Sequence, residues 1–184
     1  MEEFRLRPAT AGDLEAIRGV IAASVRGLQS EYTEGQREHA LTSVFTPDTR
    51  LVADGSYYVM EAEDGSLAAC GGWSWRRTLY GGDHHPASRD DEALHPATDA
   101  ARIRAFFVHP HWARRGLGTR LLAECERAAW DAGFRRAEMG ATLSGVPLYK
   151  KHGYRRREEI QVELPGGERL PVVLMDKDLE APKA

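Results

Sequence analysis

Residues 106–130 read FFVHPHWARRGLGTRLLAECERAAW and set two arginines and two glycines between an apolar run and a helical pattern. The first amides of a helix have no intrahelical acceptor, and the aligned peptide dipoles place about half a positive charge at that end. Glycines have no Cβ to keep a ligand away from the backbone, and the two arginines add positive charge. The segment therefore predicts a phosphate or pyrophosphate cradle formed by Arg114, Arg115, Gly116, Leu117, Gly118 and Thr119.

Other anion-binding motifs are incomplete in this segment. A Walker A loop ends in Gly-Lys followed by Ser or Thr, whereas the chain continues GLGTR. The dinucleotide motif needs a third glycine, where Leu121 stands, and it follows the first strand of its domain. An enzyme of other chemistry that holds a nucleotide here remains an alternative, as does a glycine-rich helix start without a ligand.

Charge is distributed unevenly along the chain. Residues 101–157 contain 13 Lys or Arg and 4 Asp or Glu, although the whole protein has a net charge of −3. A basic segment inside an acidic chain favours an anionic ligand, and a small polyanion fits better than nucleic acid because no nucleic-acid motif is present. A solvated charged face is the alternative interpretation.

The composition narrows the class of protein. A chain of 184 residues fits a single domain over residues 1–184, with enough length for a core. No apolar run is long enough to span a membrane and the N-terminus lacks the apolar core of a signal peptide, so we expect a cytoplasmic protein without a membrane partner. Cys70 and Cys125 lie in apolar runs and are expected to be reduced core residues, with a catalytic thiol as the alternative. We expect no metal site, because no Cys/His cluster has zinc spacing.

Alternating and helical patterns give the order β-α-α-β-β-β-α-β-α-β-β, which is typical of an α/β domain with a mixed sheet. Thr10 and Thr33 are predicted to cap the first two helices, because Asp13 and Gln36 follow three residues later. Residues 78–100 are rich in Gly, Pro, Asp and His and are predicted to form one long loop, either functional or disordered. The final hairpin argues against a simple doubly wound fold.

The strand RIRAFFV precedes the predicted cradle. Strict alternation of side chains predicts that Ile103, Ala105 and Phe107 share one face of the sheet. The opposite face would then carry Arg104, Phe106 and Val108.

Together, FFVHP, RRGLGTRLL and the later segment PLYKKHGY resemble the GNAT-type N-acetyltransferases, and the element order matches that family along nearly the whole chain. The resemblance implies the acyl-CoA N-acyltransferase fold, a mixed, mostly antiparallel sheet flanked by helices. In that family a Gln/Arg-x-x-Gly-x-Gly/Ala loop binds the pyrophosphate of acetyl-CoA. Gly116 and Gly118 match the loop, whereas Ala113 departs from its first position.

The resemblance also implies roles for the flanking segments. The pantetheine arm of acetyl-CoA would pair with the backbone of Phe106, Phe107 and Val108, and a free amide there would stabilise an oxyanion. Tyr149 matches the tyrosine that often protonates the departing thiolate. The family often has an asparagine seven residues earlier, where Thr142 stands.

The acceptor side of the site is the least defined by the sequence. The first two helices and the long loop would line it, with Tyr32, Trp73, Trp75 and Tyr80 as candidate contacts. The loop is acidic, which hints at a cationic acceptor. The general base stays open, and the loop offers four candidates: His84, His85, His95 and Asp99.

These observations predict an enzyme that transfers an acetyl group directly from acetyl-CoA to the primary amine of a small molecule or peptide. The alternative is a non-catalytic module that senses acyl-CoA, which the lack of an obvious base keeps open. Family members are often dimers, so the resemblance makes a homodimer possible, and the sequence leaves the oligomeric state open. The sequence names neither the acceptor nor the acyl group.

Overall fold

The computed structural model describes residues 3–86 and 90–183. The helices within these ranges are α1 (Leu14–Leu28), α2 (Glu34–Leu41), α3 (Thr49–Ala53), α4 (Leu117–Asp131) and α5 (Val146–Lys151). The strands are β1 (Arg5–Pro8), β2 (Tyr57–Glu61), β3 (Leu67–Ser74), β4 (Ala101–Val108), β5 (Arg136–Ala141), β6 (Arg155–Glu163) and β7 (Arg169–Asp178). The expected order is confirmed, except that sequence patterns missed the short helix α3. Each helix in these ranges is too short or too polar to cross a membrane.

The strands form a seven-stranded sheet in the order β1-β2-β3-β4-β5-β7-β6. Every neighbouring pair is antiparallel except β4 and β5, which are parallel. The predicted mixed, mostly antiparallel sheet is therefore confirmed. Thr33 caps α2 as expected, because its hydroxyl accepts from the Gln36 amide at 3.1 Å while the Gln36 side chain accepts from the Thr33 amide at 2.9 Å.

Helices cover both faces of the sheet and create two cores. The α4-side core contains Leu121 and Cys125 of α4, and the α1-side core contains Ile17 of α1 and Cys70 of β3. Burying each large apolar side chain stabilises the fold by roughly 1.5–3 kcal/mol. Both cysteines are fully buried as expected, and burial raises the pKa of the Cys70 thiol to about 12. A thiolate nucleophile at Cys70 is therefore not available at neutral pH.

The middle of β4 breaks the alternation that the sequence predicts. Ala105 has a φ of +55°, and the register of β3 against β4 shifts between Cys70 and Gly72. As a result Ile103 lies in the α4-side core whereas Phe107 lies in the α1-side core. The prediction that these two residues share a face is wrong, because the bulge adds a residue to one strand and inverts the alternation beyond it.

A buried ion pair lies next to this bulge. The Arg104 guanidinium donates to the Asp48 carboxylate at 2.9 Å, with side-chain exposures of 3% and 2%. The other carboxylate oxygen of Asp48 accepts from the amide of Arg50 at 3.0 Å and so caps α3. Arg104 also donates to the carbonyls of Thr78 and Gly81. One side chain of β4 thus fixes α3 and the start of the 78–100 segment.

We predict that Asp48→Asn lowers the free energy of unfolding by about 3–5 kcal/mol, because it leaves a guanidinium buried without a counterion. Denaturant titration followed by circular dichroism measures this change. Glu38→Gln, which removes the exposed ion pair with Arg26, is the matched control and should change stability little. Equal effects of the two substitutions would contradict a special role for the buried pair.

Candidate active site

A gap opens between β4 and β5 because these strands pair over only two positions. Ala101 pairs with Ala137 and Arg102 pairs with Glu138, and this second pair is reinforced by an ion pair between the side chains. Beyond Glu138, β5 continues to pair with β7 on its other side, whereas β4 follows its bulge away from β5. The backbone of β4 from residue 105 onward therefore faces an opening in the sheet.

A cavity of about 660 Å³, including its open mouth, occupies this gap. Phe106, Met139 and Tyr149 line it from the α4 side, whereas Phe45 and Phe107 line it from the α1 side. The cavity therefore passes through the plane of the sheet. Its remaining walls are Val44, Thr46, Leu79, Tyr80, Gly81, Gly82, Ile103, Arg104, Ala105, Gly140, Thr142 and Val172.

The exposed edge of β4 offers backbone groups to this cavity. The His109 amide donates to the Ala68 carbonyl at 2.8 Å, and Phe107 lies opposite Cys70. Because successive residues of a strand direct their N–H and C=O groups to opposite sides, the groups of Phe106 and Val108 point away from β3. Of the three residues expected to pair with a pantetheine arm, these two have the suitable direction.

Tyr149 is one of the residues that line the cavity. It lies on α5, is 7% exposed, and its ring contacts that of Phe106 edge-on with centroids 6.2 Å apart. Its hydroxyl makes no hydrogen bond with the residues that the structure describes. Burial raises the pKa of Tyr149 above its usual value. The phenol is therefore neutral at physiological pH and has a proton to donate to a bound molecule.

The segment that the sequence predicts to bind an anion lies at the start of α4. Gly116 is its N-cap with a φ of +79°, and Arg114 has a φ of +63°. The Arg120 amide is the first amide of α4 that bonds within the helix. It donates to the Gly116 carbonyl at 3.1 Å. The amides of residues 117–119 come before it, have no acceptor within the helix and point out of its N-terminal end. Arg114 has an exposed side chain beside them.

The second glycine of the cradle has a different role from the first. A Cβ at Gly116 would meet open space, whereas a Cβ at Gly118 would lie 3.0 Å from a methyl group of Leu148 in α5. Gly118 therefore lets α5 approach α4 closely. Since α5 also carries Tyr149, this contact sets the distance between the anion cradle and the phenol.

A further link between the two helices was not found from the sequence. The Thr119 hydroxyl lies 3.1 Å from Nε2 of His152, the residue after α5. The hydrogen bond connects the third amide position of the cradle to the C-terminal end of α5. The only sequence signal was the histidine within KKHGY, which is uninformative before α5 is placed against α4.

The four aromatic acceptor candidates do not come together. Tyr80 lines the cavity, where its side chain lies beside Gly140 and Val172. Trp73 and Trp75 pack with the α4-side core instead and do not line the cavity. Trp73 lies in β3 on that face, and Trp75 follows directly after the end of the strand.

Tyr32 is used in packing. It is 2% exposed, and its hydroxyl donates to the Pro171 carbonyl at 2.7 Å and accepts from the Leu143 amide at 3.1 Å. These bonds join the end of α1 to β7 and to the loop after β5. Tyr32 therefore supports the wall of the cavity without lining it.

The charged residues of the 78–100 segment are occupied elsewhere. Asp90 and Glu92 form ion pairs with Arg77, and Asp91 forms one with Arg50. None of these carboxylates lines the cavity. The acidic composition of the loop therefore gives no structural support to a cationic acceptor.

The four candidate bases also lie outside the cavity lining. Asp99 accepts from the His95 amide at 2.7 Å, which closes a turn, and His84 is exposed. His85 lies nearest, with its ring 5.6 Å from that of Tyr80, and burial lowers its pKa. Within residues 3–86 and 90–183, no group of three or more His, Cys, Asp or Glu side chains could hold a metal.

Two segments that the sequence did not connect build the α1-side wall. The Gly82 amide donates to the Val44 carbonyl at 3.2 Å, and the Asp83 amide donates to the Pro47 carbonyl at 3.1 Å. The Asp83 carboxylate accepts from the Thr49 amide at 3.0 Å. The start of the 78–100 segment is thus docked on the connection between α2 and α3.

Comparisons with known proteins agree with this geometry. The family model described as the acetyltransferase (GNAT) family matches residues 22–154. A GCN5-related N-acetyltransferase from Rhodopseudomonas palustris superposes with a TM-score of 0.71 and 22% identity, covering 95% of each chain. The PaiA N-acetyltransferase from Thermoplasma acidophilum, in complex with coenzyme A, gives 0.65 and 14%, covering 96% of this chain and 99% of its own.

A third similar structure is a phosphinothricin acetyltransferase from Sinorhizobium meliloti in complex with acetyl-CoA. It has a TM-score of 0.62 and 19% identity, and the superposition covers 98% of this chain and 93% of the other. No curated protein matches the sequence. At these identities the structures establish the fold, and the family model, which spans more than half of the chain, establishes the family.

A sheet opened between two parallel strands beside a helix-end anion cradle defines an acyltransferase scaffold. The chain belongs to the GNAT family of acetyltransferases.

We predict that Gly82→Ala destabilises the fold by roughly 1–3 kcal/mol, the usual cost of overpacking, and raises the KM for the acceptor because the displaced segments line the cavity. A Cβ at Gly82 would lie 2.0 Å from the Thr46 carbonyl oxygen and would push the two wall segments apart. Acetyl-CoA affinity, measured by calorimetry, should stay unchanged. Gly19→Ala, whose Cβ meets no atom within 4 Å, is the control. Loss of acetyl-CoA affinity in Gly82→Ala would show that the wall is not specific to the acceptor.

Proposed function

We propose that this protein transfers an acetyl group directly from acetyl-CoA to the nitrogen of a primary amine. The observation that carries the proposal is the cavity through the sheet, which is lined by Tyr149 and by the part of β4 that leads to the glycine-containing start of α4. Both substrates would meet in this cavity, each entering from one face of the sheet. The chemistry then needs no covalent intermediate on the enzyme.

The coenzyme would be bound mainly through backbone groups. The amides of residues 115–119 would donate to the pyrophosphate, with the side chains of Arg114 and Arg115 adding charge. The edge of β4 at Phe106 and Val108 would pair with the amide groups of the pantetheine arm as an added strand would. The departure at Ala113 costs little in this scheme, because the binding groups belong to the main chain.

The reacting atoms would then meet in the gap. The amine nitrogen attacks the carbonyl carbon of the thioester, and the Phe106 amide donates to the oxygen that becomes negatively charged. Collapse of this intermediate breaks the C–S bond and releases the sulfur as a thiolate. Tyr149 donates a hydrogen bond or a proton to that sulfur, and the nitrogen loses its extra proton.

The energetics favour Tyr149 as a hydrogen-bond donor. An ordinary tyrosine has a pKa near 10 and an ordinary thiol near 8.5, so full proton transfer costs about 2 kcal/mol. Burial raises the pKa of Tyr149 further. The same apolar surroundings also disfavour the thiolate, which partly offsets this cost. A neutral phenol that donates a hydrogen bond to the sulfur stabilises the developing charge without the cost of full proton transfer.

We predict that Arg114→Glu weakens binding of acetyl-CoA about tenfold, because it replaces an attraction to the pyrophosphate by a repulsion. Calorimetry at two salt concentrations measures the loss, which should shrink at high salt. S-acetylpantetheine, which lacks the pyrophosphate, should bind both proteins equally. Arg18→Glu, on the exposed face of α1, is the control for the change in net charge. Equal losses in both variants would contradict a cradle at the start of α4.

We predict that Tyr149→Phe lowers kcat by about 10- to 100-fold, the value of one hydrogen bond to a charged atom. Acetyl-CoA affinity should change little, because the ring and its packing are retained. Tyr154→Phe is the matched control, since the Tyr154 ring lies only 6.0 Å from that of Tyr149. Because the pKa of Tyr149 is raised, the wild-type kcat should not decline up to pH 10. An unchanged kcat in Tyr149→Phe would remove the phenol from the mechanism.

Acetyl-CoA-dependent thiol release against a panel of amines tests the proposal as a whole. Acetylated product that requires both an amine and acetyl-CoA supports it. Binding of acetyl-CoA without release for any amine would favour an acyl-CoA sensor instead. Cytoplasmic location and homodimer formation stay predictions from the sequence.

A further inference from the structure

The α1 side of the cavity is apolar. Val44, Phe45, Leu79, Phe107 and Val172 contribute aliphatic or aromatic surface there. Tyr80 and Thr46 add hydroxyl groups, of which the Thr46 hydroxyl already donates to the Ser43 carbonyl at 3.1 Å. An acceptor bound on this side would therefore be surrounded mostly by hydrocarbon.

Charge compensation for a cationic amine is also missing from the cavity walls. Among the residues that the structure describes, no Asp, Glu, His or Lys side chain lines the cavity. The titratable or charged groups in the lining are Tyr80, Tyr149 and Arg104, and the Arg104 charge is balanced by Asp48. His85 lies behind Tyr80 with its ring 5.6 Å away and does not line the cavity.

An ammonium group entering such a cavity loses its hydration without gaining a counterion. The amine must therefore enter as the neutral base. At pH 7.5 roughly one third of an α-amine with a pKa of 7.7–8.0 is neutral, against roughly one in a thousand for an alkylamine with a pKa near 10.4. This difference favours weakly basic amines over alkylamines by about 200-fold before any contact is made.

We propose that the acceptor is a weakly basic primary amine on an apolar body, of the α-amine class found in amino-acid amides and peptide N-termini. The inference rests on the proposed acetyl transfer. No side chain of the enzyme acts as a general base. The C–N bond forms first, and the C–S bond breaks when the intermediate collapses. Water takes the proton that the nitrogen loses, and the thiolate leaves with a hydrogen bond from Tyr149 and takes its proton from solvent.

Leucinamide and 3-methylbutylamine test the inference, because they share the same isobutyl body and differ in amine basicity. The measurement is kcat/KM by thiol release between pH 6 and pH 10, with the acetylated product identified by mass spectrometry. We expect kcat/KM to be about 200-fold higher for leucinamide at pH 7.5. We also expect kcat/KM for leucinamide to level off above about pH 8, whereas kcat/KM for 3-methylbutylamine should still rise at pH 10, because the pKa of that amine is about 2.5 units higher.

Two comparisons separate basicity from the shape and polarity of the cavity. Argininamide keeps the α-amine but carries a guanidinium, so we expect its kcat/KM to be at least about tenfold below that of leucinamide. His85→Gln should leave both pH profiles in place. Equal or better use of argininamide would overturn the apolar acceptor class.

The remaining outcomes are distinct. A common midpoint for both amines would show that a group of the enzyme acts as the base and would overturn the inference. If that midpoint disappeared in His85→Gln, the base would be His85. Product from alkylamines but not from leucinamide would overturn the inference and leave acetyl transfer intact. No product from any amine, with acetyl-CoA binding retained, would overturn the proposed function itself.

Discussion

The bend of β4 at Ala105 is the constraint on which the rest of the structure depends. An unbroken β4 would continue its parallel pairing with β5 and close the sheet. The bulge instead ends that pairing after Arg102 and Glu138 and turns the following backbone toward a cavity. A non-glycine residue at a φ of +55° is strained, and strain of this kind persists only where the surroundings over-determine it. The buried pair of Arg104 and Asp48, one residue away, supplies such surroundings.

Much of the fold follows from local patterns. Residue spacing identified the long helices, and Thr33 marked the start of α2. The bulge could not be predicted in this way, because an alternating pattern of side chains predicts only a regular strand. One residue of the sequence, Gly71, is nevertheless related to the bulge. A Cβ at Gly71 would lie 2.8 Å from the Phe106 ring, so a glycine in β3 makes room for a side chain turned by the bulge.

The site was predictable where it depends on main-chain geometry and less so where it depends on distant contacts. The helix-end cradle and Tyr149 each lie within one short motif. The α1-side wall of the cavity joins residues 44–46 to residues 79–82, a contact that no local pattern contains. The basic segment was a partial guide, since several of its charges are paired within the protein. Arg104 is buried against Asp48, and Arg157 pairs with Asp176 at 2.7 Å.

The passage of the cavity through the sheet divides the site between two sets of elements. The cradle and Tyr149 belong to α4 and α5, whereas the opposite wall belongs to two connecting segments packed on the α1 side. Those connecting segments are bonded to each other and to Arg104, so under the proposed function a sequence change there would alter the acceptor surface and leave the coenzyme surface in place. The architecture is therefore modular in an evolutionary sense. One half can diversify toward new amines while the other retains a single acyl donor.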